Sequence, residues 1–208
     1  MSCMLAKKDR YTTGEHALNK KEYHKLISVV DHLEDEVMIK LAISTGIRRE
    51  DLCHGTMKRK RIDKSTKKTV EYVVITGIKV SDIDFEEKKL SFLESKKNRI
   101  WEVPLSDDML VLMRKLINSR GKNQSEYLIT YSGRTAHRKL QAYCDKARIP
   151  RRPFHALRAT CIKFCQAAGW APEQVSRLTG DTIAVIQEHY STPTNAEMQS
   201  VVQDKPIL

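Results

Sequence analysis

The chain has 208 residues, 40% of them hydrophobic, with 37 Lys and Arg against 26 Asp and Glu for a net charge of +11. That length buries one substantial core, and the positive excess favours a polyanionic partner, nucleic acid ahead of a membrane surface. No apolar run approaches the roughly 18 residues needed to cross a bilayer, and Met1-Ser-Cys-Met-Leu-Ala-Lys-Lys lacks a signal-peptide apolar stretch, so a cytoplasmic protein with no membrane partner is expected.

Residues 1–18 are polar and aperiodic and read as a tail or linker remnant ahead of one domain over 19–208. Asn19 and Glu22 have the spacing of a helix N-cap and its reciprocal partner, and Leu26, Ile27, Val29, Val30 and Leu33 supply the apolar face. A second helix over 34–44 starts with three acids that suit its N-terminal dipole, and Gly46 permits a sharp exit. That exit delivers Arg48 to the start of a short helix over 49–53, where Asp51 is spaced to pair with Arg48 or Arg49. Residues 54–77 then hold Lys58, Arg59, Lys60, Arg61, Lys64, Lys67 and Lys68 ahead of the β-prone Val70-Glu-Tyr-Val-Val-Ile-Thr. A basic loop or hairpin is expected. It either leans on a nucleic-acid backbone or is a solvated charge run, with nuclear import a weaker option.

From residue 78 the period moves towards two, and 78–85, 89–94 and 99–103 read as a small antiparallel sheet with Lys96, Lys97 and Asn98 in a turn. Helices resume over 106–119 and 132–147, the latter basic through Arg134, His137, Arg138 and Lys139. Arg148-Ile-Pro-Arg-Arg-Pro is an extended cationic lead-in, with Arg151 and Arg152 as candidate phosphate contacts. His155 and Arg158 follow, three apart on one helix face. A guanidinium forks onto a phosphate and an imidazole exchanges protons near neutral pH, so the pair reads as an anion site or, alternatively, as two solvated polar residues. Gly169 ends that helix, a short one runs over 172–178 to Gly180, another over 182–189 precedes Tyr190, and a small one is expected over 193–202. The five cysteines (Cys3, Cys53, Cys144, Cys161, Cys165) have no metal-type spacing and read as free thiols, with no metal site.

Four blocks stand in order: Ser44-Thr-Gly-Ile-Arg48-Arg-Glu-Asp51-Leu, Glu94-Ser-Lys96-Lys-Asn-Arg-Ile-Trp-Glu-Val-Pro104-Leu, Arg152-Pro-Phe-His155-Ala-Leu-Arg158-Ala-Thr, and Leu178-Thr-Gly180-Asp-Thr-Ile-Ala-Val-Ile-Gln-Glu-His189-Tyr190-Ser. At these separations, from about Asn19 to Tyr190, the chain resembles the catalytic domain of the tyrosine recombinases, the phage integrase family. The resemblance implies a mixed α+β fold, mainly α-helical, with a small antiparallel β-sheet. It also implies a site-specific recombinase or integrase of a mobile element, virus or plasmid, acting on double-stranded DNA as a dimer or tetramer. Arg48 and Arg158 would clamp the phosphate and His155 would bond it or take a proton. Lys96, with Lys97 as the fallback, would protonate the leaving 5′-hydroxyl, and Tyr190 would attack to form a 3′-phosphotyrosine. No cofactor is implied.

Three features depart from the family pattern. The basic segment over about 54–77 is an insertion; Lys58, Arg59, Lys60 and Arg61 are its candidate DNA contacts. Asp181 stands where the family generally has His or Trp: it buttresses an arginine, or His189 takes over the role, or the enzyme is weakened. There is no room before Asn19 for the N-terminal helical domain of full-length relatives, so a catalytic-domain fragment or a short member is expected. Two other readings stay open, a type IB topoisomerase-like relaxation activity and a non-catalytic DNA-binding derivative of the fold.

Overall fold

The computed structural model describes residues 13–63, 65, 68–121, 126–190, 199, 202 and 203. Helix α1 (Lys20–Ser28) opens with the expected reciprocal cap: Asn19 accepts from the Glu22 amide at 2.9 Å, and Glu22 accepts from the Asn19 amide at 3.0 Å. Helix α2 (Leu33–Thr45) is the centre of the molecule. Its Val37, Met38, Ile39, Leu41 and Ala42 are all fully buried, and the stripe of Glu36, Lys40 and Ser44 reaches solvent. Helices α4 (Asp107–Ser119), α5 (Gly133–Lys146) and α6 (His155–Ala167) pack around it.

Short α3 (Arg49–Leu52) leads into an antiparallel hairpin, β1 (Gly55–Ile62) and β2 (Thr69–Thr76), at the place of the basic insertion. Strand alternation turns Met57, Arg59, Tyr72 and Val74 towards the body and leaves Lys58, Lys60, Val73 and Ile75 exposed. Lys64 and Lys67 lie outside the described residues. A second sheet has the order β3 (Ile83–Asp84), β4 (Lys89–Glu94), β5 (Arg99–Pro104), all antiparallel. Helices α7 (Pro172–Thr179) and α8 (Ile183–Tyr190) close the described chain against α6.

Two sequence expectations differ from the structure. The strand expected over 78–85 survives only as β3, because the Asp82 carboxylate captures the Lys79 amide at 2.8 Å and winds Val80–Asp82 into a 3₁₀ turn. Ile78 and Val80 pair instead with the loop before α5, through Leu128 and Glu126. The tail expected through residue 18 is ordered from Thr13: a 3₁₀ turn spans Thr13–His16, and Leu18 is buried with its amide on the Thr160 hydroxyl at 2.8 Å. The helix expected over 193–202 lies almost wholly outside the described residues. The four described cysteines are free thiols, and Cys3 lies outside the described residues. No described helix is long and apolar enough to cross a membrane.

Helix α2 ends on Gly46 in the left-handed region (φ 66°), and a Cβ there would sit 2.9 Å from Thr179 Cγ2 at the end of α7. Both the conformation and the contact require glycine. Gly46→Ala should lower the unfolding free energy by at least about 1 kcal/mol, measured by urea denaturation; an unchanged midpoint would contradict the close approach of these two helix ends.

Candidate active site

Two helices end at the same place, each on a glycine in the left-handed region: α2 on Gly46 (φ 66°) and α7 on Gly180 (φ 75°). Helix C-termini leave carbonyl groups unpaired and carry partial negative charge. The guanidinium of Arg158, on the buried first turns of α6 and only 3% exposed, meets both ends. Its Nη1 donates to the Gly46 carbonyl at 2.5 Å and its Nη2 to the Thr179 carbonyl at 2.8 Å. Fixed on both sides, this side chain cannot leave without exposing two helix ends.

The remaining face of Arg158 is taken by Asp181, in the loop between α7 and α8: Nε and Nη2 lie 3.0 and 2.6 Å from Oδ2. The other oxygen of the same carboxylate accepts from Arg48 Nη2 at 3.1 Å. Arg48 is the N-cap residue of α3, and its Nη1 donates to Glu94 at the end of β4 at 2.6 Å. Glu94, 2% exposed, is shared again, accepting from Arg99 Nε at 2.7 Å with Lys97 Nζ at 3.8 Å. Lys97 also donates to the Gly180 carbonyl. Thus a continuous ionic chain runs Arg158–Asp181–Arg48–Glu94 and on to Arg99 and Lys97. Four cations against two anions leave the site positive. Burial opposes ionisation of Glu94, but hydrogen bonds from Arg48 and Arg99 overcome it and hold the carboxyl below its ordinary value.

Asp51 does not hydrogen-bond Arg48 or Arg49, as its spacing had suggested. It accepts instead from the backbone amide of Ser95 at 2.9 Å and from its hydroxyl at 2.5 Å, while the charge of Arg48 still acts on it. Burial raises its pKa despite these bonds. Arg59, from the hairpin, donates to the Ser95 carbonyl. Two anchors therefore fix the start of the β4–β5 turn beside α3, and the turn carries Lys96 and Lys97. Arg49 is held by its neighbour Glu50, with Nη2 to Oε1 at 2.6 Å.

A cavity of about 360 Å³ opens beside this chain, lined among others by Arg48, Lys96, His155 and Arg158. Of the two turn lysines, Lys97 is committed to Gly180 and Glu94, while Lys96 is exposed at the cavity wall. His155 begins α6 at the mouth of the same cavity; desolvation by the surrounding wall, then the charge of Arg158, lowers its pKa. A histidine so placed is neutral at pH 7 and can accept a proton. Tyr190 is the last residue of α8; its side chain and that of His189 lie outside the described residues, as does that of Arg61.

The proposed backbone contacts are placed unevenly. Lys58 is exposed on the hairpin and Lys60 pairs with Glu71 at 3.2 Å. Arg59 is turned inward to Ser95. Arg151 forks onto Asp145, both bonds 2.8 Å, and Arg152, 16% exposed, is held by Glu22 at 2.9 Å. Sequence reasoning gave Glu94 no part, although its cluster with Lys96, Lys97 and Arg99 was the available signal. Its partner Arg48 stands 46 residues upstream. No group of His, Cys, Asp and Glu among the described residues is arranged to hold a metal.

The profile described as the phage integrase family matches residues 74–195, more than half of the chain. The chain belongs to the phage integrase family. The tyrosine recombinase XerA of Pyrococcus horikoshii is 24% identical over 124 residues, which cover 60% of this chain and 35% of that protein. Among solved structures, that of XerA recombinase superposes with a TM-score of 0.70 at 17% identity, covering 92% of this chain and 66% of that one. The XerH site-specific recombinase bound to its difH substrate, a pre-cleavage complex, gives 0.62 at 14% identity, covering 90% and 53%. These relatives are longer than the chain, which spans about a third to two thirds of their length. At such identities the structural likeness speaks for the fold, a mixed α+β architecture dominated by helices.

The buried carboxylate of Glu94 has a pH signature. Its folded pKa is depressed, so it contributes stability that is present above the ordinary glutamate value near 4.5 and lost as pH falls through the folded value. In Glu94→Gln the fall in stability below about pH 4.5 should be shallower than in the parent, as read from urea midpoints at successive pH values; parallel profiles would show that Glu94 is not held by Arg48 and Arg99.

Proposed function

We propose that this protein is a site-specific DNA recombinase or integrase that cuts and rejoins strands through a covalent 3′-phosphotyrosine on Tyr190. The observation that carries the reading is the meeting of Arg48 and Arg158, from sequence positions 110 apart, on the two oxygens of one carboxylate, beside a cavity that Lys96 and His155 also line. A bridging carboxylate and a phosphodiester present the same chemistry to a pair of guanidinium groups, two oxygens sharing one negative charge. Family membership and the likeness in fold to a recombinase captured with its DNA substrate support the same reading.

In this mechanism the arginines neutralise charge growing on the non-bridging oxygens as the Tyr190 oxygen attacks phosphorus. His155, neutral at the working pH, takes the phenolic proton or bonds a phosphate oxygen. Lys96 delivers a proton to the departing 5′-oxygen. The bond to the 5′-oxygen breaks as the bond to tyrosine forms, and a 5′-hydroxyl from another strand reverses both changes. One phosphodiester replaces another, so no external energy source is needed. Exposed Lys58 and Lys60 on the hairpin add backbone contacts, and assembly as a dimer or tetramer on DNA brings strands together. Asp181 keeps the arginine pair in register from behind. A second reading, a DNA-binding derivative without strand transfer, is favoured by that same carboxylate, which occupies both arginines and repels phosphate.

A nicked trapping duplex carrying the attachment site decides between them. The parent should give a slow-migrating protein–DNA band that Tyr190→Phe abolishes. Arg48→Ala and Arg158→Ala should each reduce its rate about 10²–10³-fold. No band from the parent selects the binding protein; adduct that persists in Tyr190→Phe removes Tyr190 as nucleophile. Because the His155 pKa is lowered, the acidic limb of the rate of band formation should be centred below the ordinary histidine value of about 6.5; an acidic limb centred above that value would argue against His155 as the proton acceptor.

A further inference from the structure

A second cavity, of about 710 Å³, lies between the base of the β1–β2 hairpin and the first turn of α5. It shares Arg49, Glu50 and His137 with the cavity that holds the arginine pair, so the two are neighbouring compartments separated by these side chains. Arg134 enters the larger one from α5 and is exposed. Gly133 makes room for the shared wall: a Cβ there would lie 3.1 Å from Cγ and Nε of Arg49, so the arginine rests directly on the first turn of α5. Glu50 intrudes on both compartments, but its carboxylate is engaged by Arg49 Nε and Nη2 at 3.1 and 2.6 Å.

One atom on this wall stands out. Nδ1 of His137 is buried and meets no hydrogen-bond partner among the described residues. A buried polar nitrogen left unpaired is costly, so the imidazole gains by turning towards a hydrogen-bonding group admitted to the cleft it lines. Helix α5 adds to the polarity, since its 14 residues have no acid in the first turn and present their positive end here. Cationic side chains, an unpaired imidazole and an N-terminal helix turn together select an oxyanion rather than a base edge or an apolar group.

We propose that this cleft binds a nucleic-acid backbone phosphate adjoining the one held by Arg48 and Arg158, with Arg134, His137 and Arg49 as its contacts. The inference rests on the strand-transfer reading, because only a polyanion passing through both compartments fills them in succession. It gives the reacting strand two fixed points, and so fixes its direction across the arginine pair. Arg134 and His137 are in this sense positioning residues.

The test is binding of a fluorescein-labelled 30-base-pair duplex to the full chain, followed by anisotropy across a series of salt concentrations. Each phosphate contact contributes about 0.9 to the slope of log affinity against log salt. The double variant Arg134→Ala/His137→Ala should bind about tenfold more weakly with a slope shallower by about 0.9, while Lys115→Ala, an exposed charge on α4 outside both cavities, should change neither. Arg134→Glu, at an exposed position, gives a second variant whose folding is not in question and should weaken binding further. Parent protein that binds duplex steeply with salt, together with variants that match Lys115→Ala, would overturn the cleft and leave the strand-transfer reading standing. Parent protein that binds no duplex would overturn both.

Discussion

The structure turns on a buried guanidinium that closes two helix ends at once. Arg158 satisfies carbonyls at the termini of α2 and α7, and Lys97 takes the carbonyl of Gly180 beside it. A cation in a nearly solvent-free position is costly unless paired. Asp181 supplies the pair and spends its second oxygen on Arg48. The positions of α2, α6, α7 and the α7–α8 loop are therefore coupled through one side chain, and the strand block joins them through Glu94. This is a structural arrangement first; the electropositive pocket is its by-product. A site built this way is preorganised, with its charges already oriented before any ligand arrives.

The same arrangement limits what can change. Replacing either arginine by an apolar residue removes an anion contact and also strands buried carboxylates or carbonyls, so stability falls together with the positive charge of the pocket. Lys96 and Arg134 carry no such obligation and are exposed. They are positions where charge can be adjusted without disturbing the core. The hairpin is similarly peripheral: its inner face is tied down through Arg59, and its outer face leaves lysines and aliphatic residues in solvent.

Much of this was legible in the sequence because it depended on local chemistry. The cap formed by Asn19 and Glu22, the glycine exits at Gly46 and Gly180, and the basic hairpin all follow from neighbouring residues. The four motif blocks carried the fold class. What escaped was long-range. Asp51 looked like a partner for an arginine three residues away, yet the rigid turn of α3 aims it at Ser95, 44 residues downstream. Glu94 and Arg48 find each other across 46 residues, and no spacing rule connects them. The strand expected over 78–85 failed for a local reason, since the alternation of apolar residues hid a carboxylate able to wind the backbone at Asp82. Leu18 was assigned to a tail because its helix partner, Thr160, lies 142 residues away.

The most direct test of the shared anion site is a crystal structure of the chain grown with a short duplex and vanadate, the vanadium standing in for the phosphorus under attack. The account predicts one anion within hydrogen-bond distance of both Arg48 and Arg158, with Asp181 still behind them. Arginines that engage two separate anions, or a vanadate bound away from both, would contradict it.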